Sequence, residues 1–190
     1  MMRLRFNLLA ILLFLVSSSV SAWADDYTDT IEIFKNAGAS SAFFDNSYGY
    51  AVFPIIGKGG IGIGGAFGKG RVYKKGARVG DTSMAQLTIG WQLGGQGYRQ
   101  IIFFQDQRAF EEFTTGKFEF GAQATAVAIT AGASASATTA GTSASASGGQ
   151  HDATTVGIYN KGMATFTIAK GGLMYEASIG GQKFTYKPSK

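Results

Sequence analysis

This chain of 190 residues has no cysteine, a single histidine, two prolines, and charged side chains at only 15% of its positions. The missing cysteine excludes disulfides, iron–sulfur clusters, zinc–thiolate sites, thiol nucleophiles and a lipid-modified N-terminal cysteine. One histidine, His151, leaves little material for general acid–base or metal chemistry. The charged fraction is well below the roughly one quarter usual for a soluble domain. Together with 28 glycines it points to β-structure or to a membrane-facing surface. Composition therefore argues against most enzyme classes and for no cofactor, and function has to be sought in surfaces.

A long apolar run is missing too. Leu8–Val16 is nine residues without a polar side chain, and at about 1.5 Å each these reach less than half of a ~30 Å hydrocarbon core. Arg3 and Arg5 precede the run with no acid, and the small-residue-rich stretch Ser17–Ala24 follows it. This is the three-part shape of a secretory signal peptide, with cleavage expected after Ala22-Trp23-Ala24. Residues 1–24 are thus read as the signal peptide and 25–190 as a single domain of 166 residues and net charge +3. Export without a cysteine anchor implies a periplasmic or extracellular protein that is not lipid-anchored.

What is present reads as α+β. Asp25–Asn46 has helical spacing at Tyr27, Ile31 and Phe34, a capping-box-like Asp29 and Glu32, and an interruption at Gly38 before a short turn at Ser40–Asp45. From Tyr48 the period changes to two, and the run is expected to end at Pro54. Gly57–Gly70 holds eight glycines in 14 residues. That density would unravel a helix, at roughly 1 kcal/mol per glycine against alanine, so strand, turn and strand is expected, with 71–76 as the returning edge. Met84–Gly97 alternates Leu87, Ile89, Trp91 and Leu93 with Gln86, Thr88, Gly90 and Gln92, while Ile101–Phe104 is the continuous apolar run of a strand covered on both sides.

Asp106–Thr115 is the clearest helix, capped by Asp106, striped by Ala109, Phe110 and Phe113, and stopped at Gly116. Lys117–Thr130 alternates again. Ala131–Gly149 contains only Ala, Gly, Ser and Thr and predicts a mobile loop or flat surface hairpin. Strands at 154–159, 163–169, 173–179 and 183–186 follow, with a hairpin turn at Gly180-Gly181. The expected architecture is a dominant, curled antiparallel sheet of about eight to ten strands, an N-terminal helical segment, and one helix near 106–115.

Chemistry-bearing motifs mostly dissolve on inspection. Gly60–Gly65 satisfies G-x-G-x-x-G with Asp81 downstream, but such a match is nearly unavoidable at this glycine density, and no apolar helical stretch follows to receive a pyrophosphate. His151 flanks the small-residue tract without an orienting partner, and Glu111 and Glu112 point to different sides of their helix. The basic cluster is more informative. Lys58, Lys69, Arg71, Lys74, Lys75 and Arg78 put +6 into residues 57–80 without an acid. Anionic membranes attract such patches by about 1 kcal/mol per basic residue near the surface; lysine on an edge strand also guards against aggregation. Export removes nucleic acid as a target, and exposed stacking aromatics are not interleaved with the cluster. The stripe Tyr27, Ile31 and Phe34, with Phe43 and Phe44, is core if docked on the sheet and an amphipathic membrane element if not.

Gly49-Tyr-Ala-Val-Phe-Pro54, Gly59-Gly-Ile-Gly-Ile-Gly-Gly65 with Gly68-Lys-Gly70, Gln86–Gln96, Ile101–Phe104 and Gly171-Gly-Leu-Met174 together resemble the SYLF domain family, in family order and over nearly the whole of 25–190. The resemblance implies a non-enzymatic lipid-binding module. Eukaryotic members bind phosphoinositides, yeast actin-patch members also bind and bundle actin, and bacterial members look like small exported proteins or lipoproteins. The chain departs from many bacterial relatives in lacking a lipobox cysteine, and its Ala131–Gly149 tract is longer and plainer. For an exported bacterial protein an anionic phospholipid is the physical equivalent of the family ligand.

The expectation is an exported, non-catalytic module that binds anionic phospholipid surfaces peripherally through those six basic residues. A structural or interaction protein of the cell envelope, with an envelope protein as partner, is the alternative. An outer-membrane β-barrel is a third, opposed by the polar end Lys187–Lys190 and by the helix inside the strand series.

Overall fold

The structure, a computed structural model, describes residues 22–90, 96–129, 138–140, 159–170 and 178–190. The signal-peptide assignment for residues 1–21, His151, and the small-residue tract apart from 138–140 lie outside these. Helices α1 (Ala22–Asn36) and α2 (Gly38–Asn46) come first, divided where Gly38 was expected to interrupt. The capping box expected at Asp29 is not a cap, because α1 is already helical by Ala22. Strands β1 (Gly49–Lys74), β2 (Ala77–Gly90) and β3 (Gln96–Phe104) follow. After them come α3 (Gln107–Thr114), β4 (Val127–Ile129), β5 (Thr138–Ala140), β6 (Met163–Lys170) and β7 (Lys183–Pro188). The described strands form one sheet in the order β5-β4-β6-β3-β1-β2-β7, antiparallel except for the β4–β6 pair.

The described strands number seven; of the eight to ten expected, those at 154–159 and 173–179 fall almost wholly outside the described residues, and Gly49–Lys74 is one strand where several were expected. Fully extended, residues 49–73 would span roughly 80 Å. Yet the Tyr50 and Tyr73 rings stack at 5.1 Å, and a Cβ on Gly68 would lie 2.9 Å from the Ile55 carbonyl oxygen. β1 therefore turns back on itself in its glycine-dense middle, its first half pairing with β3 and its second with β2. Gly57–Gly70, expected as strand, turn and strand, is instead part of one continuous strand, bent where its pairing passes from β3 to β2. Pro54 does not end the strand: the register shifts between Phe53 and Ile56, a bulge that accommodates the missing N–H. The 71–76 stretch returns as expected and pairs with β2 through Lys74, while β3 pairs with the first half of β1. Its turn is a two-residue hairpin with Lys75 and Gly76 at φ 50° and 80°.

The sheet curls, as expected. Segment 117–129 bridges its ends. At one end Phe184 N–H donates to Phe118 O and Phe120 N–H to Gln182 O, and at the other β4 pairs with β6. The Gly180-Gly181 turn is present, but its flanks bridge to Thr125 and Glu119 instead of pairing with each other as a hairpin, because segment 117–125 occupies that position. Lys117–Thr130 accordingly yields one short strand plus isolated bridges. The stretch expected as a single strand over Met84–Gly97 is β2 to Gly90 and β3 from Gln96.

Ile101 to Phe104 are all fully buried and alternate between the two faces of the sheet. Ile102 and Phe104 join the core inside the curl with Phe53, Val72, Met84, Phe113 and Phe184. Ile101 and Phe103 join the outer core, where Phe103 meets Phe43, Phe44 and Phe166 at ring separations of 5.4, 4.9 and 5.9 Å. Each such ring contributes about 1.5–3 kcal/mol when fully buried. The α1 stripe is core: Phe34 is fully buried and Tyr27 nearly so, so the helix docks on the sheet. α3 packs inside the curl through Ala109 and Phe113, with the Asp106 carboxylate accepting from Ala109 N–H at 2.8 Å and Gly116 at φ 74° beyond its end.

Candidate functional site

The fold divides the six basic residues. Alternation along β1 sends Val72 and Ala66 into the curl, so Phe67, Lys69 and Arg71 point to the opposite face, the one that carries α1. Lys74 lies on the α3 side, its ammonium 4.9 Å from the centre of the Tyr48 ring and 5.7 Å from that of Phe110. Lys58 sits opposite Gln96 on β3, and Lys75 occupies the hairpin turn. Arg78 is spent on Asp81, with one guanidinium nitrogen donating to both carboxylate oxygens at 2.7 and 2.8 Å. Lys69 and Arg71 lie on the second half of β1, which pairs with β2.

Around these two the register assembles partners that sequence spacing could not reveal. Arg71 pairs across to Asp81, which pairs to Lys187 on β7; in the next same-face row Lys69 pairs to Ser83, and Ser83 to Thr185. The Ser83 and Thr185 hydroxyls share a 2.7 Å hydrogen bond. Tyr27 of α1 leans over this surface, its hydroxyl donating to Lys69 O at 3.4 Å. The Arg71 guanidinium carbon stacks 4.0 Å from the centre of the Tyr27 ring. Burial pushes the Tyr27 phenol up from its ordinary range, with the Arg71 charge opposing, so it stays neutral at physiological pH. The result is a trough of about 360 Å³ bounded by Tyr27, Lys69, Arg71, Asp81, Ser83, Thr185 and Lys187. Among the described residues, Lys69, Arg71 and Lys187 make no ion pair.

The same face continues into exposed apolar residues. Gly65 pairs with Leu87 and Phe67 with Ala85, and Leu87 is 85% and Phe67 55% exposed. The alternation expected in β2 is present over its described side chains. Gln86 faces inward, donating to Gly180 O at 2.9 Å on the same side as buried Met84, and this leaves Leu87 in solvent. A second cavity, of about 240 Å³, lies beneath segment 117–125 and is lined by Phe118, Phe120, Met163 and Ile179 with Glu112 and Glu119 among its polar residues. The two helix carboxylates, Glu111 and Glu112, have separate partners, Gln107 and Arg108.

Residues 85–189 match the family model Ysc84, described as Las17-binding protein actin regulator. The chain belongs to this family, the SYLF proteins. The matched region carries β2 from its Leu87 side, β3, α3 and β4 to β7, so the SYLF match includes the Thr185 and Lys187 side of the trough, while Lys69, Arg71 and Tyr27 precede it. The chain is also 28% identical over 173 residues to Beta cell expansion factor A of Aeromonas veronii. That alignment covers 87% of this SYLF chain and 55% of the relative, so the chain spans about half the length of the curated protein it matches.

Proposed function

We propose that this chain is an exported, non-catalytic module that binds anionic phospholipid surfaces peripherally through the α1-side face of β1, β2 and β7. The observation that carries the reading is the joining, on one face, of three cations that make no ion pair among the described residues to exposed Phe67 and Leu87. At about 1 kcal/mol per basic residue near an anionic surface, Lys69, Arg71 and Lys187 supply about 3 kcal/mol, a preference on the order of 100-fold for acidic over neutral bilayers. Leu87 and Phe67 add burial at the headgroup boundary. No helix among the described residues is long and apolar enough to cross a membrane. The three-part N-terminal segment supports export. The remaining basic residues, Lys58, Lys74, Lys75 and Arg78, are assigned only a share of the long-range field.

Co-sedimentation with vesicles tests the proposal. Protein is expected to pellet with phosphatidylglycerol-containing vesicles, to remain in solution with phosphatidylcholine alone, and to be released as salt shortens the Debye length from about 10 Å at 0.1 M to about 3 Å at 1 M. Equal pelleting with both lipids, or with neither, overturns it. A protein partner on the same exposed face is the second reading, favoured by the family's description as Las17-binding. It predicts no pelleting with either vesicle.

A further inference from the structure

We propose that the cavity inside the curl, beneath segment 117–125, is a binding site for a neutral aromatic molecule of the size of indole, with the Thr165 hydroxyl as its polar contact. The cavity lies on the opposite side of the sheet from the surface assigned above to the membrane, so the two assignments stand or fall separately.

The alternation of β6 builds the floor. Ala164, Phe166 and Ile168 turn to the outer core, so Met163, Thr165 and Thr167 face into the curl. Thr165 is only 6% exposed and lines the cavity, and among the described residues its hydroxyl makes no hydrogen bond. A buried hydroxyl left this way costs stability that a valine of the same shape would not. Packing alone does not explain it, and it is free to meet a guest. Thr167, one same-face step along and outside the cavity lining, also has a buried hydroxyl without a partner and serves as an internal comparison.

The walls select the body of the guest. Phe118 and Phe120 are partly buried and line the cavity with Met163 and Ile179. Their rings meet edge to face at 5.0 Å, and Phe120 meets Phe184 in the same manner at 5.6 Å. Ring edges and faces with a thioether beside them suit an aromatic guest better than a chain of methylenes. The rim selects its charge. Glu112 and Glu119 are half-exposed and paired with Arg108 at 3.3 Å and Lys183 at 3.5 Å, and Lys161 is exposed. Among the described lining residues the interior therefore offers nothing to offset a buried ion, and a neutral molecule fits. An apolar cavity of about 150 Å³ holds benzene; one of about 240 Å³ admits a second fused ring.

Titration of indole into the full chain, followed by methyl and backbone amide NMR, tests the site. Shifts are expected to concentrate at 118–120, 163–165 and 179. Benzothiophene, which has the shape of indole without its N–H, separates the hydroxyl contact from the fit of the rings. Thr165→Val is expected to weaken indole binding about threefold or more without weakening benzothiophene, and Thr167→Val to change either by less than about twofold. Octanol, a chain with one hydroxyl, and tryptamine and indole-3-acetate, which add either charge to the ring, are each expected to bind at least about fivefold more weakly than indole. Both valine variants should be at least as stable as the wild type in a denaturation midpoint, so a loss of binding is not a loss of fold. A wild type that shows no shifts with indole, or shifts scattered over exposed rings, overturns the proposal. So do equal losses in Thr165→Val and Thr167→Val, or octanol or a charged analogue that binds as tightly as indole. Pelleting with anionic vesicles is expected to be unchanged in Thr165→Val, which keeps a failure of this site distinct from a failure of the membrane reading.

Discussion

Gln100 and Gln182 are both fully buried and hold each other in a reciprocal amide pair. Gln100 Nε2 donates to Gln182 Oε1 at 2.9 Å, and Gln182 Nε2 donates to Gln100 Oε1 at 3.1 Å and to Tyr98 Oη at 3.2 Å. The pair ties β3 to the Gly180-Gly181 turn across the inside of the curl. Gln100→Leu strips Gln182 of one acceptor and one donor, and at about 1–3 kcal/mol for a buried group left without its partner the expected loss is about 2 kcal/mol. Gln182→Leu also orphans the Tyr98 hydroxyl and is expected to cost about 3 kcal/mol. The double variant leaves only that hydroxyl unsatisfied, so it is expected to lose about 1–2 kcal/mol, well short of the sum, with a coupling energy of about 3 kcal/mol. Urea denaturation followed by far-ultraviolet circular dichroism measures all four corners of the cycle; each single variant should lower Tm by about 5–10 °C on a chain of this size. Additive losses in the double variant, or a neutral Gln100→Leu, refute the reasoning that the amides are held by each other.

Gly70→Ala places a Cβ 2.6 Å from the Phe53 ring and 2.8 Å from Val52 O where β1 folds back, and is expected to cost about 1–3 kcal/mol in a denaturation midpoint. Gly57→Ala meets nothing within 4 Å and should change stability by less than about 0.5 kcal/mol. Asp106→Ala removes the α3 cap and should cost about 1 kcal/mol in the same measurement. Stability should hold to about pH 10 and fall as pH rises toward 12, since burial and the neighbouring Tyr73 push Tyr50 up from 10.0 to about 12 and burial raises Tyr98 as well. The sign follows because the folded state keeps protons that the unfolded chain releases in that window. Urea midpoints across pH 8–12, with tyrosinate absorbance recorded in parallel, check it.

The period-two and period-3.6 signals were legible wherever one face is decisively apolar. Ile101–Phe104, the α3 stripe with its Asp106 cap, and the helical spacing of Tyr27, Ile31 and Phe34 follow from side-chain spacing alone, whereas the docking of that last stripe on the sheet does not. Spacing in β2 did not show which face is buried, because Gln86 looks polar but is buried by a bond to Gly180 O, a partner 94 positions away, and Met84 fixes the inward parity that exposes Leu87. Glycine density announced the fold-back of β1 without showing that Pro54 would sit in a bulge. The basic cluster was visible as a composition, yet sequence proximity grouped six residues that the sheet distributes over two faces and a turn. Lys187, Thr185 and Tyr27 join Arg71 and Lys69 only through register and helix docking, and nothing local to those residues marks them.

A chain without cysteine allows one to be placed at will, and an environment-sensitive fluorophore on Leu87→Cys reports directly on whether the α1-side face meets a bilayer. The account predicts a blue shift with anionic vesicles, none with neutral ones, reversal at high salt, and no response from the same dye on Gln123→Cys beside the other cavity. A dye at position 87 that stays in water while the protein pellets with anionic vesicles, or one that responds no differently from position 123, contradicts it.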